Sequence, residues 1–155
     1  AAGIGAVMFG ADGAILMDAR QNSGAHRWLL TSQNGGESWG TPRPGQSLRA
    51  VATGIERFSL ASAGDGRNRL IWTGPTQPGR RNLVVRLSYD EGQTWTNERL
   101  LYGGFAAYSD LAILKDGSAA VLWERGVSEG TQFITFTRFN REFLEPPGTV
   151  IPNPF

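Results

Sequence analysis

An eight-residue pattern that occurs twice constrains this chain more than any other feature. The pattern is Ser-x-(Asp or Asn)-x-Gly-x-(Ser or Thr)-Trp, and it occupies residues 32–39 and 88–95. Each copy follows a short apolar run typical of a β-strand, at residues 26–31 and 83–87. The Asp or Asn side chain can accept hydrogen bonds from backbone amides, the glycine permits a positive φ, and the tryptophan can pack as an apolar plug. The pattern therefore predicts a turn between strands that is repeated along the chain.

A second repeat has nearly the same period. Asp-Gly pairs begin at Asp12, Asp65 and Asp116, and each lies between two short apolar runs, as a tight hairpin turn does. Repeats of this length are typical of β-propellers, in which each four-stranded antiparallel unit, or blade, takes about 40 to 50 residues. The chain is therefore long enough for about three blades. We predict one domain with blades at about residues 1–50, 51–103 and 104–145 and a C-terminal tail at 146–155. The strands predicted within the blades are residues 6–9, 15–18, 26–31, 58–62, 70–73, 83–88, 110–114, 119–123 and 133–139.

Composition excludes several classes of protein. The 155 residues include 21 glycines and 8 prolines without a regular period, which disfavours a helical bundle. The chain has no cysteine, so disulfides, zinc–thiolate sites and thiol nucleophiles are excluded. The net charge of +1 predicts no nucleic-acid partner. No apolar run reaches the roughly 18 residues of a membrane span, and no signal peptide is evident, so we expect any export signal to have been removed or to lie outside this piece.

The eight-residue pattern resembles the Asp-box, or bacterial neuraminidase repeat, found on the blades of β-propellers. A second resemblance lies in Ala107-Tyr108-Ser109-Asp110-Leu111, in Lys115-Asp116-Gly117 and in Leu122-Trp123-Glu124, which together resemble the C-terminal half of sialidases (exo-α-neuraminidases). The likeness covers about residues 11–144 and implies an all-β fold, a six-bladed propeller of which this chain holds about three blades. Because about three blades leave open sheet edges, we expect this chain to be a fragment of a longer polypeptide, or an N-terminal half or a second copy to complete the ring. The resemblance favours a secreted or periplasmic location.

The same resemblance implies a set of site residues. Tyr108 matches the family's nucleophile and Glu124 matches a glutamate that orients a substrate-binding arginine. Arg20 and Arg80 match arginines that hold the carboxylate of sialic acid, with Arg81 as the alternative to Arg80. These residue types suit the chemistry, because guanidiniums pair with carboxylates and a neutral phenol avoids the repulsion that an acidic nucleophile would meet. No metal or cofactor is implied. Without this context, Tyr108 would be an ordinary half-buried strand tyrosine, and the arginines would be solvated surface residues.

The chain departs from the family pattern at the catalytic base. The base glutamate would fall at residue 4, which is isoleucine here, and the acid aspartate and the first arginine belong to N-terminal blades. The leading prediction is a retaining exo-α-sialidase that acts on sialylated glycans. The alternatives are a non-catalytic sialic-acid-binding propeller that lacks the base, and an interaction module without a sugar site. The interaction module is favoured if Arg20 and Arg80 point away from Tyr108.

Overall fold

The computed structural model describes residues 5–21, 24–47 and 51–151, and the regular secondary structure of this part of the chain is almost entirely antiparallel β-strand. The first sheet has four strands, which are adjacent in space in the order in which they occur in the sequence. They are β1 (Gly5–Phe9), β2 (Ile15–Ala19), β3 (Trp28–Ser32) and β4 (Arg43–Pro44). This sheet corresponds to the first predicted blade, and Arg20 follows directly after β2.

The second sheet has six strands and covers the second and third predicted blades without a break. Its strands are β5 (Gly54–Ser59), β6 (Arg69–Gln77), β7 (Arg81–Ser88), β8 (Thr96–Ile113), β9 (Ala119–Gly126) and β10 (Phe133–Phe139), and a short helix α1 (Arg141–Leu144) follows. The helices in the described ranges are all too short and too polar to cross a membrane. Because the described residues form two antiparallel sheets and only short helical segments, the all-β class is confirmed.

Several strands differ from the sequence prediction, and three differences are the largest. The strand predicted at 58–62 is wrong, because the strand is Gly54–Ser59 and residues Ala61–Ala63 form a 3-10 turn. The strand β4 and the first half of β8 were not predicted. Both segments pair with a neighbouring strand on one side and contain polar or proline residues, so they lack the apolar alternation that identifies a half-buried strand.

The long strand β8 belongs to two strand pairs in succession. Its first part pairs with β7, its second part pairs with β9, and Phe105 at the junction is opposite both Arg81 and Gly126. The second part also lies against the segment before β5, where the Ser109 N–H donates to the carbonyl of Ala52 at 3.2 Å. The strand thus carries Tyr108 to the place where the predicted blades meet.

Two hydrophobic clusters fill the interior. One lies within the six-stranded sheet and is capped by Leu144 of α1. The other joins the two sheets, since it packs Met8, Leu16 and Leu29 of the first sheet against the fully buried Trp72 of β6. Tyr108 packs against the edge of this second cluster. The packing between the sheets therefore sets the relative position of Arg20 and Tyr108.

The two copies of the repeated motif form the same turn, as the sequence predicts. In each, the serine hydroxyl accepts from the glycine N–H, at 2.9 Å in the first copy and 2.8 Å in the second. The carboxamide of Asn34 and the carboxylate of Asp90 then accept from the backbone N–H four residues further on, at 3.0 and 2.8 Å. The tryptophan of the second copy, Trp95, packs on the cluster that joins the sheets, 6.5 Å from Trp72 between ring centroids. These turns are structural.

Candidate functional site

Arg20 and Tyr108 are 88 positions apart in the sequence and are in direct contact in the structure. The Nη1 atom of Arg20 donates a hydrogen bond to the Tyr108 hydroxyl at 3.1 Å. The guanidinium carbon lies 6.0 Å from the centroid of the tyrosine ring. The end of β2 and the middle of β8 therefore meet at one polar site.

Arg80 approaches Tyr108 from the turn between β6 and β7. Its backbone has a φ of 58°, a left-handed conformation that is uncommon for a residue with a side chain. Its carbonyl accepts from the Ala106 N–H at 2.8 Å, and its guanidinium lies 5.3 Å from the centroid of the Tyr108 ring. The guanidinium of Arg81 instead stacks on Phe105, 3.5 Å from that ring centroid. Arg80 is therefore the residue of the adjacent pair that lies beside the tyrosine.

Glu124 reaches the same place from β9. The ladder between β8 and β9 shifts register between Ala106 and Ser109, which is a β-bulge opposite Glu124. At the bulge the Tyr108 N–H donates to the Glu124 Oε2 at 3.1 Å. Glu124 thus fixes the backbone of Tyr108. Its predicted role toward an arginine stays a prediction, since within the described ranges Glu124 forms no ion pair with an arginine.

The site is rich in positive charge. Across residues 5–21, 24–47 and 51–151, neither Arg20 nor Arg80 forms an ion pair with a carboxylate. The hydrogen bond from Arg20 lowers the pKa of Tyr108, and the charges of Arg20 and Arg80 act in the same direction, while partial burial opposes them. A phenol with a lowered pKa is a better nucleophile near neutral pH. The arrangement can therefore hold an anion beside an activated tyrosine.

One feature near the site was not predicted from the sequence. The carboxylate of Asp18, on β2, is almost fully buried and accepts from the Arg27 Nε at 2.7 Å on both oxygens. It also accepts from the Thr53 hydroxyl and the Trp72 indole, each at 3.1 Å. The available signal was an acidic residue inside an apolar strand. The four predicted site residues come together in the structure, and residue 4, where the family has its base, lies outside the described residues.

Comparison with protein families agrees with this architecture. A family model described as a BNR repeat-like domain matches residues 5–121. A sialidase from Micromonospora viridifaciens is 30% identical over 139 residues, which are 86% of this chain and 21% of that protein. A sialidase from Bacteroides fragilis is 29% identical over 128 residues, which are 77% of this chain and 23% of that protein. The chain thus spans about a fifth of the length of these two sialidases.

Solved structures show the same fold. The intramolecular trans-sialidase from Ruminococcus gnavus superposes with a TM-score of 0.75 at 20% identity, over 94% of this chain and 33% of that chain. A mutant of the NanB sialidase from Streptococcus pneumoniae gives a TM-score of 0.76 at 16% identity, over 90% of this chain and 23% of that chain. The predicted partial β-propeller is confirmed by these neighbours. The chain belongs to the BNR repeat-like family, within the sialidase superfamily.

Proposed function

We propose that this chain supplies the tyrosine and two arginines of a retaining exo-α-sialidase site that acts on sialylated glycans. The observation that carries the proposal is the hydrogen bond from Arg20 to the Tyr108 hydroxyl, with Arg80 on the face of the same ring. A phenol beside two guanidiniums without ion-paired carboxylates is suited to a substrate whose reacting carbon bears a carboxylate.

In the proposed reaction, Arg20 and Arg80 bind the carboxylate on the anomeric carbon of sialic acid. The Tyr108 oxygen forms a bond to that carbon as the bond to the aglycone oxygen breaks. The phenolic proton passes to a base and the aglycone oxygen takes a proton from an acid, both supplied by residues other than those assigned here. Water then displaces the tyrosine and releases sialic acid with retained configuration. The lowered pKa of Tyr108 assists the first step.

A second candidate function is sialic-acid binding without turnover. It is favoured by the isoleucine at position 4 and by the partner of the Tyr108 hydroxyl, which is a guanidinium rather than a carboxylate. A tyrosine without a carboxylate base beside it keeps its proton near neutral pH and attacks slowly. The two candidates share the arginine site and differ in turnover.

Release of 4-methylumbelliferone from its α-sialoside tests the proposal. Turnover by a propeller that contains this chain and the blades that supply the base and the acid, lost in Tyr108→Phe and retained in Tyr102→Phe, supports a sialidase that uses Tyr108. Tyr102 is a matched control because it lies on the same strand and its hydroxyl has only a long contact, 3.5 Å, with a backbone carbonyl. Saturable binding of sialic acid without turnover supports the second candidate. A folded protein that shows neither binding nor turnover contradicts both candidates.

We also propose that further propeller blades cover the two open faces of this chain. The face of β9 and β10 exposes Leu122, Ile134 and Phe136, and β1 exposes Val7 and Phe9. Apolar sheet faces of this kind are normally buried in a propeller, and the matched sialidases extend well beyond this chain. The chain in isolation is expected to bind an apolar dye or to self-associate, less so in Phe136→Ser. A monomer that binds no dye contradicts this proposal.

A further inference from the structure

The buried carboxylate of Asp18 is surrounded by donors from three segments. Arg27 reaches it from the loop before β3, Thr53 from the segment before β5, and Trp72 from β6. Arg27 also donates to the Asp18 carbonyl at 3.0 Å and to the Val51 carbonyl at 2.7 Å. The side chains of Asp18 and Arg27 are each only 1% exposed. One carboxylate therefore ties the first sheet to the second through hydrogen bonds of fixed direction.

A buried ion pair is a weak source of stability, because the cost of removing both charges from water offsets most of their attraction. Well-packed apolar residues of similar size stabilise such a site as well or better. Hydrogen bonds do supply direction, since each donor must point at its acceptor. The network around Asp18 is thus better suited to fixing the relative position of its segments than to adding stability.

The segments that the network fixes are those that carry the site. Asp18 is two residues before Arg20 on the chain. Thr53 is next to Ala52, whose carbonyl accepts from the N–H of Ser109, the residue after Tyr108. The Ser109 hydroxyl donates to the carbonyl of Thr73 at 3.1 Å, and Thr73 follows Trp72. The path from Arg20 to Tyr108 therefore runs through the Asp18 carboxylate and a few backbone atoms.

We propose that Asp18 is a positioning residue that holds Arg20 in hydrogen-bonding contact with Tyr108. The inference rests on the proposed function only for its importance to catalysis, since the contact itself exists without substrate. Asp18 touches neither the phenol nor a ligand, and acts by fixing the end of β2 against the strand that carries the tyrosine. When its carboxylate is lost, the Arg20 guanidinium is no longer held at the hydroxyl.

The test is the ionisation of Tyr108, followed by NMR of chain labelled with 13C at the tyrosine Cζ and assigned with Tyr108→Phe. The charged groups that face this tyrosine are the guanidiniums of Arg20 and Arg80 and the carboxylate of Glu124 on its amide. Asp18→Asn keeps the size of the side chain and removes its charge. We expect it to raise the pKa of Tyr108, because the donor that favours the phenolate moves away.

A double-mutant cycle separates positioning from a general effect on the fold. If Asp18 acts through Arg20, Asp18→Asn raises the pKa of Tyr108 in the native chain and leaves it unchanged in the Arg20→Met background. An unchanged pKa in the single variant, or an equal rise in both backgrounds, overturns the proposal. Glu145→Gln is the matched control, because it breaks another buried ion pair, with 7% exposed side chains, between Arg69 of β6 and the residue that follows α1.

Thr53→Val keeps the proposal testable if Asp18→Asn does not fold. It removes one hydrogen bond to the carboxylate and leaves the ion pair with Arg27 intact. We expect a smaller rise in the pKa of Tyr108, again absent in the Arg20→Met background, and a rise that persists there overturns the proposal. Because the titration needs no substrate, its outcome is independent of whether the chain turns over a sialoside, which the turnover assay decides separately.

Discussion

Replacement of Arg27 by methionine is expected to destabilise the fold strongly. Methionine keeps much of the apolar stem of the arginine and removes the charge and all of its donors. Arg27 is the cation nearest the Asp18 carboxylate, and both side chains are 1% exposed. Among the described residues, the variant therefore leaves the interior carboxylate with the Thr53 hydroxyl and the Trp72 indole as its side-chain donors.

The size of the effect follows from burial. Removing one partner of a buried ion pair costs about 3–5 kcal/mol, because the remaining charge is uncompensated. For a domain of 150–250 residues, each kcal/mol lowers the melting temperature by about 2–4 °C, so the expected fall is roughly 6–20 °C. Arg138 and Asp116 provide a matched pair whose side chains are 52% and 53% exposed. Arg138→Met should cost much less than Arg27→Met, since solvent screens an exposed pair.

Urea unfolding followed by circular dichroism at pH 7 measures both variants under the same conditions. The expected result is a loss in Arg27→Met at least three times that in Arg138→Met. A loss of about 1 kcal/mol or less in Arg27→Met, equal to that in Arg138→Met, would show that Asp18 is hydrated or finds another donor when Arg27 is absent. The expected cost of an uncompensated buried charge would then be wrong.

Three further changes test other parts of the structure. Arg20→Met should raise the pKa of Tyr108, since the donor and the charge that favour the phenolate are lost; an unchanged 13Cζ titration contradicts this. Burial raises the pKa of Glu145, but hydrogen bonds from Arg69 and from a tyrosine hydroxyl outweigh it and hold the pKa below the ordinary 4.5. The stability that Glu145 contributes is therefore present above pH 4.5 and is lost as the pH falls below that value. Urea midpoints should accordingly fall less on acidification in Glu145→Gln than in the native chain, and parallel falls would contradict the assignment. Ser88→Ala should lower the free energy of unfolding in urea by about 1–3 kcal/mol, because a buried backbone N–H loses its acceptor. A decrease of less than about 0.5 kcal/mol would mean that water replaces the hydroxyl.

The repeated motif made the fold class and its turns predictable, because each copy is a local structure built from hydrogen bonds within eight residues. The six-stranded sheet was not predictable in the same way. Its continuity depends on β8 pairing first with β7 and then with β9, with register shifts on both sides. Such pairing is set by packing between distant segments, and neither apolar alternation nor turn residues encode it.

The candidate site shows the same division. Resemblance to sialidases pointed to Arg20, Arg80, Tyr108 and Glu124, and these four are neighbours in the structure. The side chains of Arg80 and Arg81 lie over different rings, and the positive φ of Arg80 could not be predicted from its residue type. The buried partnership of Asp18 with Arg27 was missed, because a charged residue in a short strand is ordinarily read as solvent-facing.

The site formed by Tyr108, Arg20 and Arg80 is proposed to bind the carboxylate of sialic acid. The most direct measurement is a titration of the 13Cζ-tyrosine chain with N-acetylneuraminic acid, followed at the Tyr108 resonance. We expect a saturable shift that is lost in Arg20→Met and in Arg80→Met and retained in Arg81→Met, whose guanidinium lies over Phe105 instead. No saturable shift in the native chain, or equal affinity in Arg20→Met, would show that the carboxylate does not bind at this site.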